Sequence, residues 1–100
     1  MNAISKVSSI TYEDLAEYLR LDEVSADDQN TLNNLLAVAK AFMSSYTGHS
    51  IDELDDYNDF VIVAMVLVQD MWDNRTLYVE KSNLSHVVET ILGMHQVNLL

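Results

Sequence analysis

The chain has 100 residues, of which sixteen are acidic and five basic, giving a formal charge of −11; 49% are apolar, with no cysteine, no proline and two glycines. Cysteine chemistry of every kind is excluded: disulfides, thiolate zinc sites and thiol nucleophiles. The charge, with a pI near 4.2, disfavours unaided adhesion to duplex DNA or an anionic membrane, both of which present phosphates of the same sign.

The apolar content is that of a globular domain, and the length suits one small domain over residues 1–100. Few residues mark turns, so helices are the economical reading. "MNAISKVSSI" lacks the apolar core of a signal peptide, and a cytoplasmic protein is expected.

Thr11 followed by Asp14 has the spacing of a capping box, and Ile10 with Leu15 that of a hydrophobic staple. The spacing predicts a short first helix to about Leu21, with Leu15, Tyr18 and Leu19 on one face. "LDEVSADD" is the loop. The second helix is capped by Ser25 or Asp27. Its apolar residues, Leu32, Leu35, Leu36, Ala39, Phe42, Met43 and Tyr46, recur at helical spacing, and Gly48 is its stop.

In "SIDELDDYNDF", Ser50 with Glu53 reads as a cap for a short turn before a third helix from about Asp56 to Asn74. Its acidic start suits the helix dipole. Phe60 to Val68 are nine successive apolar residues. The run is too short to span a membrane, which takes about 20 residues. Its continuation into Met71 and Trp72 without a turn residue favours a helix, apolar on every face, over a strand. "RTLYVEKSNL" is a connection, with Thr76 to Glu80 as a possible extended piece. A fourth helix starts near Ser85, with Val87, Val88, Ile91 and Leu92 on one side, and Gly93 ends it. Residues 93–100 form an apolar tail, expected to be mobile in the lone subunit and ordered by a partner. The fold class is therefore all-α, a four-helix bundle ordered short, long, long apolar, short.

Residues that could carry chemistry are few. The acids Asp52, Glu53, Asp55, Asp56 and Asp59 lack the order of a calcium loop and read as a solvated helix start. His49, His86 and His95 lack metal-ligand spacing and read as structural or surface residues. No G-x-S-x-G elbow frames a nucleophile, and two glycines cannot form a phosphate loop. No catalytic residue, cofactor or metal is expected, and no membrane association.

Two family resemblances remain. "TGHSI", Thr47 to Ile51, resembles the attachment site of acyl and peptidyl carrier proteins, and would make Ser50 a phosphopantetheine site. Such a carrier needs an amphipathic recognition helix after that serine, where this chain turns apolar on every face.

Taken in order, "ITYEDLAEYLRLDE", "LLAVAKAFMSSYTGHS", "AMVLVQDMWDNR" and "VVETILGMHQVNLL" resemble the head–tail connector family of tailed bacteriophages, also called head-completion or adaptor proteins. The resemblance covers nearly the whole chain. In that family a long helix closes in an aromatic residue, Thr and Gly, as at Tyr46, Thr47 and Gly48. An apolar helix then ends in an aromatic, an acid, Asn and Arg, as at Trp72, Asp73, Asn74 and Arg75. The chain departs from the family in lacking a proline before the last helix and basic residues at its end.

The resemblance implies a non-catalytic virion protein at the head–tail junction, assembled in the host cytoplasm. It implies a homo-oligomeric ring below the portal protein, of about twelve subunits by portal symmetry. That ring would extend the channel through which packaged DNA passes without sequence-specific binding. It would also meet the next connector or tail-completion protein. Candidate oligomer or portal contacts are Met71, Trp72 and Arg75, with Met94, Val97, Leu99 and Leu100 of the tail. A soluble helical domain with another partner is the remaining alternative. Apolar surface in excess of what three short helices can cover marks an interface under either reading.

Overall fold

The computed structural model describes residues 6–97, apart from the side chain of Asn83. Among these residues the chain is all-helical, with four α-helices: α1 (Tyr12–Tyr18), α2 (Ala26–Thr47), α3 (Phe60–Asn74) and α4 (His86–Met94). Three 3₁₀ turns, Val7–Ser9, Asp52–Asp56 and Lys81–Asn83, connect or precede them. No helix among the described residues is long and apolar enough to cross a membrane.

Local chemistry sets the helix starts. The Thr11 hydroxyl accepts from the Asp14 amide while the Asp14 carboxylate accepts from the Thr11 amide, closing the expected capping box. Ser25 and Asp28 repeat the device at α2, so Ser25 and not Asp27 is the cap. Ser85 caps α4 through the Val88 amide. Such a cap is worth about 1 kcal/mol.

The stops follow a different rule. Gly48 ends α2 in the left-handed region at φ 83°, as its position predicts. The first and third helices end with arginines there, Arg20 at φ 59° and Arg75 at φ 58°. In each case an amide reaches back five residues, Leu21 to the Ala16 carbonyl and Thr76 to the Met71 carbonyl. These are Schellman closures without glycine. With Arg20 in the left-handed region, α1 stops at Tyr18, three residues before the expected Leu21.

α3 starts at Phe60, not at Asp56. Of the acids before it, Asp52, Glu53, Asp55 and Asp56 belong to a separate 3₁₀ turn that plugs fully buried Leu54 into the core, and Asp59 directly precedes Phe60. Ser50 and Glu53 cap that turn reciprocally. Asp55 accepts the Ser8 amide at 2.9 Å and joins the turn to the N-terminal segment. Tyr57 then takes an extended conformation, which breaks any continuation into α3. The first turn of α3 itself carries no acid.

α3 is the central element, packed on by α2, α1, α4 and the N-terminal 3₁₀ turn. Phe60, Val63, Ala64 and Val68 are fully buried. The bundle covers more of α3 than its sequence suggests, because the N-terminal 3₁₀ turn with its buried Val7 also packs on it. What stays open is a single stripe, Ile62 (55% exposed), half-buried Val66 and Gln69, then Asp70 and Asp73. Tyr18 of α1 donates to the Gln69 side chain at 3.3 Å across this edge.

At the other end of the chain, Gly93 lies inside α4, which continues to Met94. A Cβ at Gly93 would meet nothing, so helical backbone runs through it freely. Thr76 to Glu80 form no strand and are irregular.

Candidate interaction surface

Two regions hold the residues singled out by sequence, and they lie at opposite ends of α3. At fifteen residues, that helix is about 22 Å long.

The first region surrounds the start of α3, where the chain beyond α4 returns. The Val97 amide donates to the Thr47 carbonyl at 2.7 Å, and the Gln96 side chain donates to the Tyr46 carbonyl. His95 Nε2 lies 2.9 Å from Asp59 Oδ2, with its ring 4.2 Å from that of Tyr57 and edge-on to Phe60 at 5.1 Å. His49 Nε2 sits 2.7 Å from the His95 carbonyl oxygen. A carbonyl only accepts, so this nitrogen carries the proton. His49 Nδ1 is consequently buried without a hydrogen-bond partner, 3.8 Å from Glu53 Oε2.

Hydrogen bonds from Ser50, the amide first and then the hydroxyl, hold the Glu53 carboxyl below its ordinary range, and the nearby His49 adds to this. The His49 and His95 side chains are both held in hydrogen bonds within the chain. Their joining of the chain end to the α2–α3 junction was not legible, because it rests on contacts between residues 36 and 46 apart.

This docking revises the reading of the tail. His95, Gln96 and Val97 are held by their own chain, where the sequence suggested a segment free until a partner orders it. Val97 is half-buried against Gly48, whose absent side chain makes room: a Cβ there would lie 3.3 Å from Val97 Cβ. Met94 stays 67% exposed. Leu99 and Leu100 lie outside the described residues.

The second region is the far end of α3 with the segment that follows it. Met71 is buried, Trp72 is half-buried and Arg75 is exposed. A cleft of about 320 Å³ is lined by Trp72, Arg75 and Leu77, with Met71 and Thr76 at its inner edge. Beyond those two residues a larger groove of about 640 Å³ runs between α3 and the 76–85 segment. Leu67, Met71, Val79 and Leu84 supply its apolar wall, and Asp70, Asn74 and Glu80 its polar one. Tyr78 rims it at 56% exposure, and neighbouring Leu77 is 72% exposed. Burial, aided by the adjacent Asp73 carboxylate, pushes the Asp70 carboxyl above its ordinary range.

The structure therefore brings Met71, Trp72 and Arg75 together and separates them from Met94 and Val97. Sequence reasoning missed the groove. Its available signal was Leu77, Tyr78 and Val79, apolar side chains in a connection that builds no strand.

Ser50 is exposed, and its hydroxyl accepts the Glu53 amide at 3.3 Å. It opens the five-residue 3₁₀ turn and not an α-helix. Among the described residues no group of three His, Asp or Glu side chains could hold a metal ion. No protein-family model, curated protein or solved structure matches this sequence.

Proposed function

We propose that this chain is a structural, non-catalytic head–tail connector subunit of a tailed bacteriophage virion. The observation that carries the reading is the order of its motifs along the chain. "ITYEDLAEYLRLDE" covers α1 and its Schellman closure, "YTG" the end of α2, and "WDNR" the end of α3 with its left-handed arginine. Motifs that coincide with the ends of elements describe how a fold is built, which chance matches inside helices would not do.

Two further features support it. A connector meets one component above and another below, and this small bundle exposes apolar residues at both ends of its central helix: Leu77 and Tyr78 at one, Met94 at the other. The charge of −11 suits a channel wall along which DNA slides without adhering. On this reading the partners are the portal protein, neighbouring copies in a ring and the next connector or tail-completion protein.

The test is assembly with the portal protein encoded in the same genome. Sedimentation velocity of the mixture, followed by electron microscopy of the fast species, should show a ring of this chain on the portal. A chain that stays monomeric and does not co-sediment overturns the reading. The carrier alternative gives a separate readout: co-expression with a promiscuous phosphopantetheinyl transferase should leave the intact mass unmodified, Ser50 being a turn cap.

A further inference from the structure

The groove between α3 and the 76–85 segment combines an apolar lining with two carboxylates, one of which, Asp70, has no partner among the described residues. Leu67, Met71 and Leu84 line it together with Asp70 and Glu80. Ser82 donates to Glu80 at 3.4 Å. Among the described residues Asp70 has neither a hydrogen bond nor an ion pair, and Asp73 beside it has the same sign. The two nearest cations in sequence face elsewhere. Arg75 lines the smaller cleft beyond Thr76, and Lys81 lies over the Tyr46 ring with Nζ 5.3 Å from its centroid. An unpaired, exposed anion beside open apolar surface is a combination that a cation on an apolar stem satisfies.

We infer that this groove is a docking site for a cationic, apolar peptide segment of a partner protein. An aliphatic side chain of the segment rests on Leu67, Met71 and Leu84, and flanking Lys or Arg side chains meet Asp70 and Glu80. Tyr78 closes over the aliphatic stems from the rim. The occupant is a different protein and not a second copy, because this chain has five cations against sixteen acids, and one of those five, Lys81, already lies over the Tyr46 ring. The inference does not rest on the connector reading, since it follows from the lining of the groove alone.

The probe is a short fluorescein-labelled peptide alternating lysine and leucine, titrated with the full chain and read by anisotropy. Asp70→Asn with Glu80→Gln should weaken binding about ten-fold, the factor expected for losing two partly exposed charge pairs. Tyr78→Ser should weaken it as well, and a peptide with serine for leucine should bind no better than that variant. The control is Asp22→Asn with Glu23→Gln, which removes the same charge from the exposed α1–α2 loop and should leave affinity unchanged.

Amide shift perturbations in the unlabelled complex should cluster between residues 67 and 85. Equal weakening by both double variants would make the attraction diffuse and overturn the proposal. So would perturbations centred elsewhere. Concentration-dependent self-association of the chain, abolished by Asp70→Asn with Glu80→Gln, would make the occupant a second copy and overturn it equally.

Discussion

Asp70 shows how a single side chain can oppose the fold that carries it. Its carboxyl is raised by burial first and by Asp73 second, so the folded state holds its proton more tightly than the unfolded chain, whose value is near 3.8. The penalty is absent below that value, grows as pH rises through it, and is complete above the folded value. Asp70→Asn should therefore raise the melting midpoint near neutral pH and leave it unchanged near pH 3. The group is largely solvated, so the gain should be small, about 1–3 °C. Thermal melts of both proteins at the two pH values check this; a variant that melts lower at neutral pH would mean that the carboxylate has a stabilising partner. Val63 and Val66 make a second residue-scale contrast. From the apolar run alone, an acid at Val66 should unfold the domain. In the structure Val66 is half-buried beside exposed Ile62, whereas Val63 is fully buried. Val63→Asp should abolish the cooperative melt, since an unpaired buried carboxylate costs several kcal/mol against a total of about 5–10. Val66→Asp should lower the midpoint and still fold, as far-UV circular dichroism would show.

Among the elements, those set by neighbours in sequence were legible and those set by distant contacts were not. The caps at Thr11 and Ser25 and the stop at Gly48 follow from residues within one turn of each other, so spacing reveals them. The start of α3 does not, because Asp55 is drawn off to Ser8 and Leu54 into the core. The end of α4 was misplaced at Gly93 for the same reason: the helix ends where His95 is seized by Asp59 and stacked on Tyr57. This C-terminal clasp is open to test. Ending the chain at Met94 removes the Val97–Thr47 bond and leaves His49 Nε2 and the Asp59 carboxylate without the partners they have now. Orphaning a buried polar group costs about 1–3 kcal/mol, a cost that falls on His49 and less on the part-exposed Asp59 carboxylate, so the truncated chain should melt roughly 3–8 °C lower. An unchanged midpoint would show that the clasp contributes nothing to the fold. Gly48→Ala strikes the same joint from the other side, since φ 83° and the 3.3 Å approach of Val97 both disfavour a side chain. A loss of about 1–2 kcal/mol is expected from denaturant titration, and part of it should vanish in the truncated background, where Val97 is absent.

For the molecule as a whole, the strongest influence outside the core is its own charge. Sixteen acids on a domain measuring 47 × 28 × 20 Å lie within a Debye length or two of one another at physiological salt, where that length is about 8 Å. Net self-repulsion of this kind destabilises the compact state relative to the expanded one. The cations that could offset it are few, and the carboxylate contacts of the C-terminal clasp are with histidines, which carry charge only when protonated. Sodium chloride should therefore stabilise the isolated chain. Between about 0.05 and 1 M the screening length falls to about 3 Å, and the melting midpoint should rise by several degrees. A chloride salt is the right choice, because sulfate would strengthen apolar burial as well and confuse the two effects. The same charge predicts no gel shift of duplex DNA at physiological salt, with low-salt buffers giving no rescue. Binding that strengthens at low salt would require a cationic face, and a midpoint that falls with added chloride would mean that attractive pairs outweigh repulsion. If neighbouring copies stand side by side in a ring, this repulsion acts between them too. Assembly should then be favoured by salt when the chain is alone, and by a basic partner seated on the acidic surface when it is not.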